Sequence, residues 1–438
     1  MISERALATR TWSQLLGMAT LVAITHLAAS CTPRPTPQMP ETPQLAASPS
    51  PTPVVPTTTP GLSAPSPSPA PVSPAASQAA PADCNVPRLH PGTLLWIGAG
   101  GKEIFALEVD PQDEFPLAVP PPLITSEWDY MYGSQWEPSG DRFSFVATTM
   151  GQGTSSTGFV ASPARPKPTP ITGTDYIGDM SWCPETGAIV FDALGEGLRN
   201  DSVFSVIRSL RVQGDMATYD HPGGEAFHPV CSPDGERVAF FVEEAPPRGP
   251  ALVVSDIALA QPSIVARPDP GLEFAKNLAW SPDGENLTYQ VSANWTSLGL
   301  CISPSTPGLD EANSTSEPCP IPGTEDALSP EWSPNGRYIL FTTEEDFAYR
   351  GVYIIDLGVA EAAAADSPPE VLPMAGQTPG SPELSAPAIW IGPTTIALVS
   401  GSAESGWSLF AADPFAGCRV RIAFLPSAAT DLSWKPAP

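Results

Sequence analysis

The sequence predicts an all-β protein: a β-propeller of seven four-stranded blades, its ring closed by N- and C-terminal strands that share one blade. Three observations carry this expectation. A Trp followed by a Pro-x-Gly turn recurs along the chain, with anchors at 136, 182, 231, 280, 332, 390 and 434, spaced 44 to 58 residues apart. After each well-formed turn the apolar residues alternate at period two, as in a strand. The first apolar segments, Thr93 to Ile97 and Glu103 to Val109, have no anchored strand before them, and the last anchor, Trp434, has no strand after it. Two incomplete ends that complete each other remove the free sheet edges of an open ring.

The clearest copies are Trp280-Ser281-Pro282-Asp283-Gly284 and Trp332-Ser333-Pro334-Asn335-Gly336. Cys231-Ser232-Pro233-Asp234-Gly235 replaces only the Trp, while Trp136-Glu137-Pro138-Ser139-Gly140 and Trp182-Cys183-Pro184 are looser. Trp390 heads a degenerate copy. Pro presets φ for the turn, Asp or Asn caps it, and Gly takes its left-handed position. Seven and nine residues after the anchor stand Phe143 and Phe145, Ile189 and Phe191, Val238 and Phe240, Leu287 and Tyr289, Ile339 and Phe341. A third strand ending in Asp often follows, as at Leu252 to Asp256 and Tyr353 to Asp356. Repeats of this length hold four short strands each.

These copies resemble the WD40-like repeat of the TolB family, whose signature is W-S-P-D-G followed by an apolar strand. The resemblance covers most of residues 84–438. TolB-like propellers usually have six blades, so six is the alternative count. TolB uses its channel mouth for protein partners, and the resemblance therefore implies a protein-binding scaffold without naming the partner.

Outside the repeats, residues 1–31 read as an export signal. Arg5 and Arg10 precede a moderately apolar stretch, and Leu27-Ala28-Ala29-Ser30-Cys31 follows. This resembles the bacterial lipobox, which implies diacylglycerol on Cys31; Ala28 stands where that pattern more often has Leu. Sixteen prolines lie among residues 32–83, which suits a disordered polyproline II tether. Fully extended at about 3.1 Å per residue, it would reach roughly 160 Å. The expected location is the extracytoplasmic face of the cell membrane or outer membrane, with the lipid as the membrane contact.

The net charge of −27 argues against nucleic-acid partners and favours cationic ones. A monomer is expected. Six cysteines remain after Cys31, an even number in an exported chain. The blade map suggests Cys301 with Cys319, Cys183 with Cys231, and Cys84 with Cys418. No cofactor or metal is expected, since no Cys-x-x-Cys occurs. His221, Glu225, His228 and Cys231 lie close in sequence, but His228-Pro229 holds a structural place before an inner strand. No Gly-x-Ser-x-Gly elbow occurs, and three histidines survive signal removal, so no catalytic residue is assigned.

Binding is better motivated. Loops that enter the inner strands surround one channel mouth, and here they carry aromatics with acids. These are Trp128, Asp129, Tyr130 and Tyr132; Asp175 and Tyr176; Glu225 and Phe227; Glu273 and Phe274; Glu325 and Asp326. Such a lining suits a peptide, a sugar or a cationic ligand. The sequence therefore points to a protein- or ligand-binding scaffold. The alternatives are a propeller enzyme acting on carbohydrate or a small ester, and a sensor or substrate-capture component of an envelope or transport system.

Overall fold

A computed structural model describes residues 89–437, apart from 99, 139, 151–154, 172–175, 195–204, 211–213, 223, 245–249, 269–271, 275–276, 294–295, 308–318, 346–347, 359–368, 376–382 and 385. The export signal, Cys31, the tether, Cys84 and Asp175 lie outside the described residues.

The chain forms seven antiparallel blades. Blade 1 joins the two ends: Asp431–Pro436 is its inner strand, followed outward by Gly92–Gly98, Glu103–Val109 and Ile124–Thr125. Trp434 pairs with Leu94 in that closure. Blade 2 is Tyr130–Trp136, Phe143–Thr149, Ser155–Ser162 and Arg165–Pro170; blade 3 is Ile177–Trp182, Ile189–Leu194, Ser205–Leu210 and Met216–Tyr219. Blade 4 is Gly224–Cys231, Arg237–Glu244, Ala251–Asp256 and Ser263–Ala266. In blade 5 the inner strand is split into Glu273–Phe274 and Ala279–Trp280, both paired with Asn286–Ala293, and Thr296–Pro304 follows. Its outer edge is completed where the Ile321 amide donates to the Leu300 carbonyl at 2.8 Å. Blade 6 is Ala327–Trp332, Tyr338–Glu345, Ala348–Asp356 and Glu370–Pro373. Blade 7 splits its inner strand into Glu383–Leu384 and Ile389–Trp390, then continues through Ile396–Ser402, Gly406–Asp413 and Cys418–Leu425.

The repeated turn is built the same way three times. The hydroxyls of Ser232, Ser281 and Ser333 donate to Asp234, Asp283 and Asn335 at 2.5, 2.5 and 2.7 Å. Each hydroxyl also accepts, at 2.9 Å, the amide five residues on, that of Arg237, Asn286 or Tyr338. Gly235, Gly284 and Gly336 all have φ of +71°, the left-handed region where a side chain is strained. This is why the motif reads so clearly: each of its residue types fills a backbone demand of the turn.

Packing runs between blades. Seven hydrophobic clusters fill the seven interfaces around the ring. The second strand of every blade but the fifth feeds two of them; in blade 5, Leu287, Tyr289 and Val291 all face blade 4. In blade 4, Val238, Phe240 and Val242 face blade 3, while Ala239 and Phe241 face blade 5. Both faces of this strand are dry, so it reads as a nearly continuous apolar run.

Further ties cross the same interfaces. The residue before an anchor reaches the next blade: Ser181 Oγ accepts from the Cys231 amide at 3.2 Å, and Ser433 Oγ from the Trp136 amide at 3.2 Å. The indole Nε1 of Trp280 donates to the Val230 carbonyl at 3.0 Å. Cations of the preceding blade cover three anchor rings, with Arg142 over Trp182, Arg237 over Trp280 and Lys435 over Trp136 at 5.2, 4.9 and 5.3 Å. Cys183–Cys231 forms a disulfide across blades 3 and 4, and Cys301–Cys319 one within blade 5. Cys418 is also disulfide-bonded.

Candidate functional site

Four inner strands carry a kink, those of blades 5 and 7 are split, and only that of blade 1 pairs without a break. Register shifts interrupt the inner strands between Tyr132 and Gln135, Ile177 and Met180, Phe227 and Val230, and Leu328 and Glu331. A bulge of this kind bends the strand and re-aims its side chains. The residue three before each anchor occupies the bulge: Gly133, Asp179, His228, Asn277 and Ser329 in blades 2 to 6, with Asp431 in the matching place of blade 1. Gly133, His228, Asn277 and Ser329 have φ of 65°, 53°, 76° and 51°. Three of these four are not glycine, and such backbone is costly for a residue with a Cβ.

Three of these positions concentrate charge. The imidazole Nδ1 of His228 contacts the Asp179 carboxylate across the interface of blades 3 and 4. Asp192, on the second strand of blade 3, lies beneath them and is buried. Its carboxylate accepts the Asp179 amide at 2.5 Å and the His228 amide as well. Gly178 makes the space, since a Cβ there would come within 2.5 Å of Asp192 Oδ1. Burial, and then the nearby Asp179 charge, push the Asp192 carboxyl up to about 6. Asp431 is also raised to about 6, by burial first and by Asp179 to a smaller degree, against a lowering hydrogen bond from the Gly133 amide at 2.9 Å.

Two tyrosines feel the charge of these acids. The Tyr130 and Tyr132 rings stack at 6.0 Å. The Tyr130 phenol is pushed up by burial and by Asp431, and lies close to Thr430 and to Tyr349 of blade 6. The Tyr132 phenol is pushed up by burial, then by Asp179 and by Tyr176. The Asp179 charge thus acts on Asp192, Asp431 and Tyr132, while its own contacts are with Asp192 and His228 in blades 3 and 4.

The other expected site residues lie elsewhere or face other partners. Trp128 packs its ring against Phe159 at 4.6 Å and Phe145 at 5.9 Å, inside the core between blades 1 and 2. Asp129 accepts the Met150 amide at 2.5 Å. Glu225 is half-buried near the start of its strand, and Phe227 packs on Phe241 at 5.9 Å. Glu273, Glu325 and Asp326 are exposed, and Glu325 accepts the Gly323 amide at 3.4 Å. Phe274 takes its place in the split inner strand of blade 5 through backbone pairing with Val291. The sequence neighbours His221, Glu225, His228 and Cys231 do not form one group. Cys231 is in a disulfide, and His221 Nδ1 meets the Tyr219 hydroxyl at 2.9 Å. A second concavity, a groove of about 550 Å³ between blades 1 and 7, is lined by prolines 120 to 122 with Phe105 and Phe424.

Sequence reasoning missed Asp179, Asp192 and Asp431 as site residues. A signal for them exists. Asp179 and Asp431 stand in register with His228, three residues before their anchors, and Asp192 is the one acid in the apolar strand Ile189–Leu194.

The molecule is thus a seven-bladed β-propeller whose inner strands hold Asp179, His228 and Asp431 near Tyr130 and Tyr132. No family model matches the chain, and no curated protein matches it. Solved propellers are similar to it. TolB from Acinetobacter baumannii is 16% identical with a TM-score of 0.43, over 65% of this chain and 64% of that one. The periplasmic gluconolactonase of Pseudomonas aeruginosa is 16% identical with a TM-score of 0.46, over 80% of this chain and 100% of that one. An oligogalacturonate lyase in complex with manganese is 12% identical with a TM-score of 0.47, over 71% and 82% of the two chains. Both enzymes and non-enzymatic proteins stand among these neighbours, and none assigns this chain an activity.

Proposed function

We propose that the chain is a lipid-anchored, extracytoplasmic binding module whose channel mouth takes a cationic segment of a protein partner. One observation carries the reading: the Tyr130 and Tyr132 rings stack at 6.0 Å, with the charges of Asp431 and Asp179 acting on their phenols. Aromatic faces and carboxylates together favour Lys and Arg side chains. The net charge of −27 would steer such partners toward the ring. Two disulfides suit an oxidising compartment. Diacylglycerol on Cys31 would supply the two chains that firm anchoring needs. Cys84 with Cys418 remains the proposed third bridge. The reading treats the chain as a binding module rather than an enzyme.

The test uses the full chain and two probes, an oligolysine peptide and a neutral peptide of equal length. Oligolysine should bind with salt-dependent affinity, at least tenfold weaker after Tyr130→Ala with Tyr132→Ala. Equal affinity for the neutral peptide, or no effect of the substitutions, would refute the site. In cells, Cys31→Ser should move the protein to the soluble fraction; retention in the membrane would refute the anchor.

A further inference from the structure

The geometry points to a divalent transition-metal site formed by Asp179, Asp192 and His228 where the inner strands of blades 3 and 4 meet. It goes beyond the binding reading and does not depend on it, since the three ligands would hold an ion whether or not a partner docks.

Three features support it. First, the three side chains offer two carboxylate oxygens and one imidazole nitrogen within 4.8 Å of one another. Donors that share one ion at about 2.0–2.2 Å stand about 3 to 4.4 Å apart, so the widest pair closes by a few tenths of an ångström while the Asp179–His228 hydrogen bond opens to admit the ion. Second, the site is built rather than incidental. The Asp192 carboxylate is fixed by the amides of both other ligand residues. Gly178 leaves the room it occupies. The Cys183–Cys231 disulfide and the Ser181–Cys231 hydrogen bond lock the two inner strands beside it. Third, His228, held at φ of 53°, turns its Nδ1 to the Asp179 carboxylate while its amide donates to Asp192. The bare cluster carries two carboxylates at close range for one imidazole, and a dication balances that charge.

The donor set selects the ion. An imidazole among carboxylates suits Zn²⁺ or Mn²⁺ better than Mg²⁺, which prefers oxygen ligands and retains its waters. Asp179 and His228 keep 34% and 18% of their side chains exposed, leaving room for water in a further position.

The experiment titrates ZnCl₂, MnCl₂ and MgCl₂ separately into chelator-stripped full chain by calorimetry, with bound metal counted after dialysis. The expected result is one equivalent of Zn²⁺ or Mn²⁺, with Mg²⁺ at least a hundredfold weaker. Asp179→Asn and His228→Gln should each lower affinity at least tenfold while the circular dichroism spectrum is kept. On the wild-type chain, Zn²⁺ should shift the ring resonances of His228 and leave those of His90 and His221 in place, a readout that needs no variant. The inference is overturned by absence of saturable binding, by affinity unchanged in both variants, by equal affinity for Mg²⁺, or by a His228 resonance that does not move.

Discussion

Glu331 puts a carboxyl group where the ring offers little to stabilise its charge. It is half-buried on the inner strand of blade 6, and its Oε2 accepts the Trp390 amide of blade 7 at 3.1 Å. The Trp390 indole donates to the Glu331 carbonyl at the same distance, so one residue holds two blades together. Burial pushes the carboxyl from its ordinary 4.5 up to about 8, against the lowering effect of the Trp390 amide. A folded pKa above the unfolded one means that the folded state binds the extra proton. Its contribution is complete below about pH 4.5 and is lost as pH rises through about 8. Over that window the linkage amounts to about 2–4 kcal/mol, allowing for the partial exposure. Glu331→Gln keeps the neutral shape and removes the titration. The variant should match the wild type near pH 5 and exceed it in denaturant midpoint by pH 9. Parallel stability profiles across that range would show that Glu331 does not titrate there.

At the scale of the element, what the sequence shows depends on how local the cause is. The Ser-Pro-Asp-Gly turn satisfies its own hydrogen bonds within six residues, so its three best copies are legible without any knowledge of the ring. The second strands are legible too, although reading Val238 and Phe240 as one buried face understates them, because Ala239 and Phe241 are equally dry. The inner strands are harder. Their bulges break the period-two pattern at Gly133, His228 and Ser329, and blades 5 and 7 split the strand altogether. Asp179 and His228 sit on these bulges, outside the period-two pattern that the inner strands otherwise show. Trp128 shows the opposite case: an aromatic in an entering loop whose ring is spent on the core. The second strands also carry the packing energy. Phe240 is fully buried between blades 3 and 4, with the Tyr219 ring at 5.0 Å. Phe240→Ala should cost about 3–5 kcal/mol through lost burial and the cavity left behind. Phe424 is 57% exposed, and its replacement by Ala should change stability by less than about 0.5 kcal/mol. Urea unfolding of both variants checks the contrast, and equal losses would contradict this assignment of the core.

For the whole molecule, the decisive element is one short strand, the six residues Asp431–Pro436. They pair with Gly92–Gly98 across more than 300 positions of sequence, from Gly92 with Pro436 to Ile97 with Asp431. They also bring Asp431 to the Gly133 amide, Ser433 to the Trp136 amide and Lys435 over the Trp136 ring, so one strand ties blade 1 to blade 2. The unanchored Thr93 to Ile97 segment and the stranded Trp434 made this closure readable, because each lacked what the other supplied. A ring distributes its stability over seven interfaces only while it is closed. Removing residues 431–438 should therefore leave blade 1 without its inner strand, expose the edge of Gly92–Gly98 and part the first two blades. Such an edge is a template for another chain. The truncated protein should lose the single cooperative unfolding transition of the intact chain, and self-associate in light scattering at concentrations where the intact chain does not. A truncated chain that stayed in the same association state and kept the intact unfolding midpoint would mean that the ring holds together without its clasp. In that case the shared blade would be a feature of topology with no part in stability.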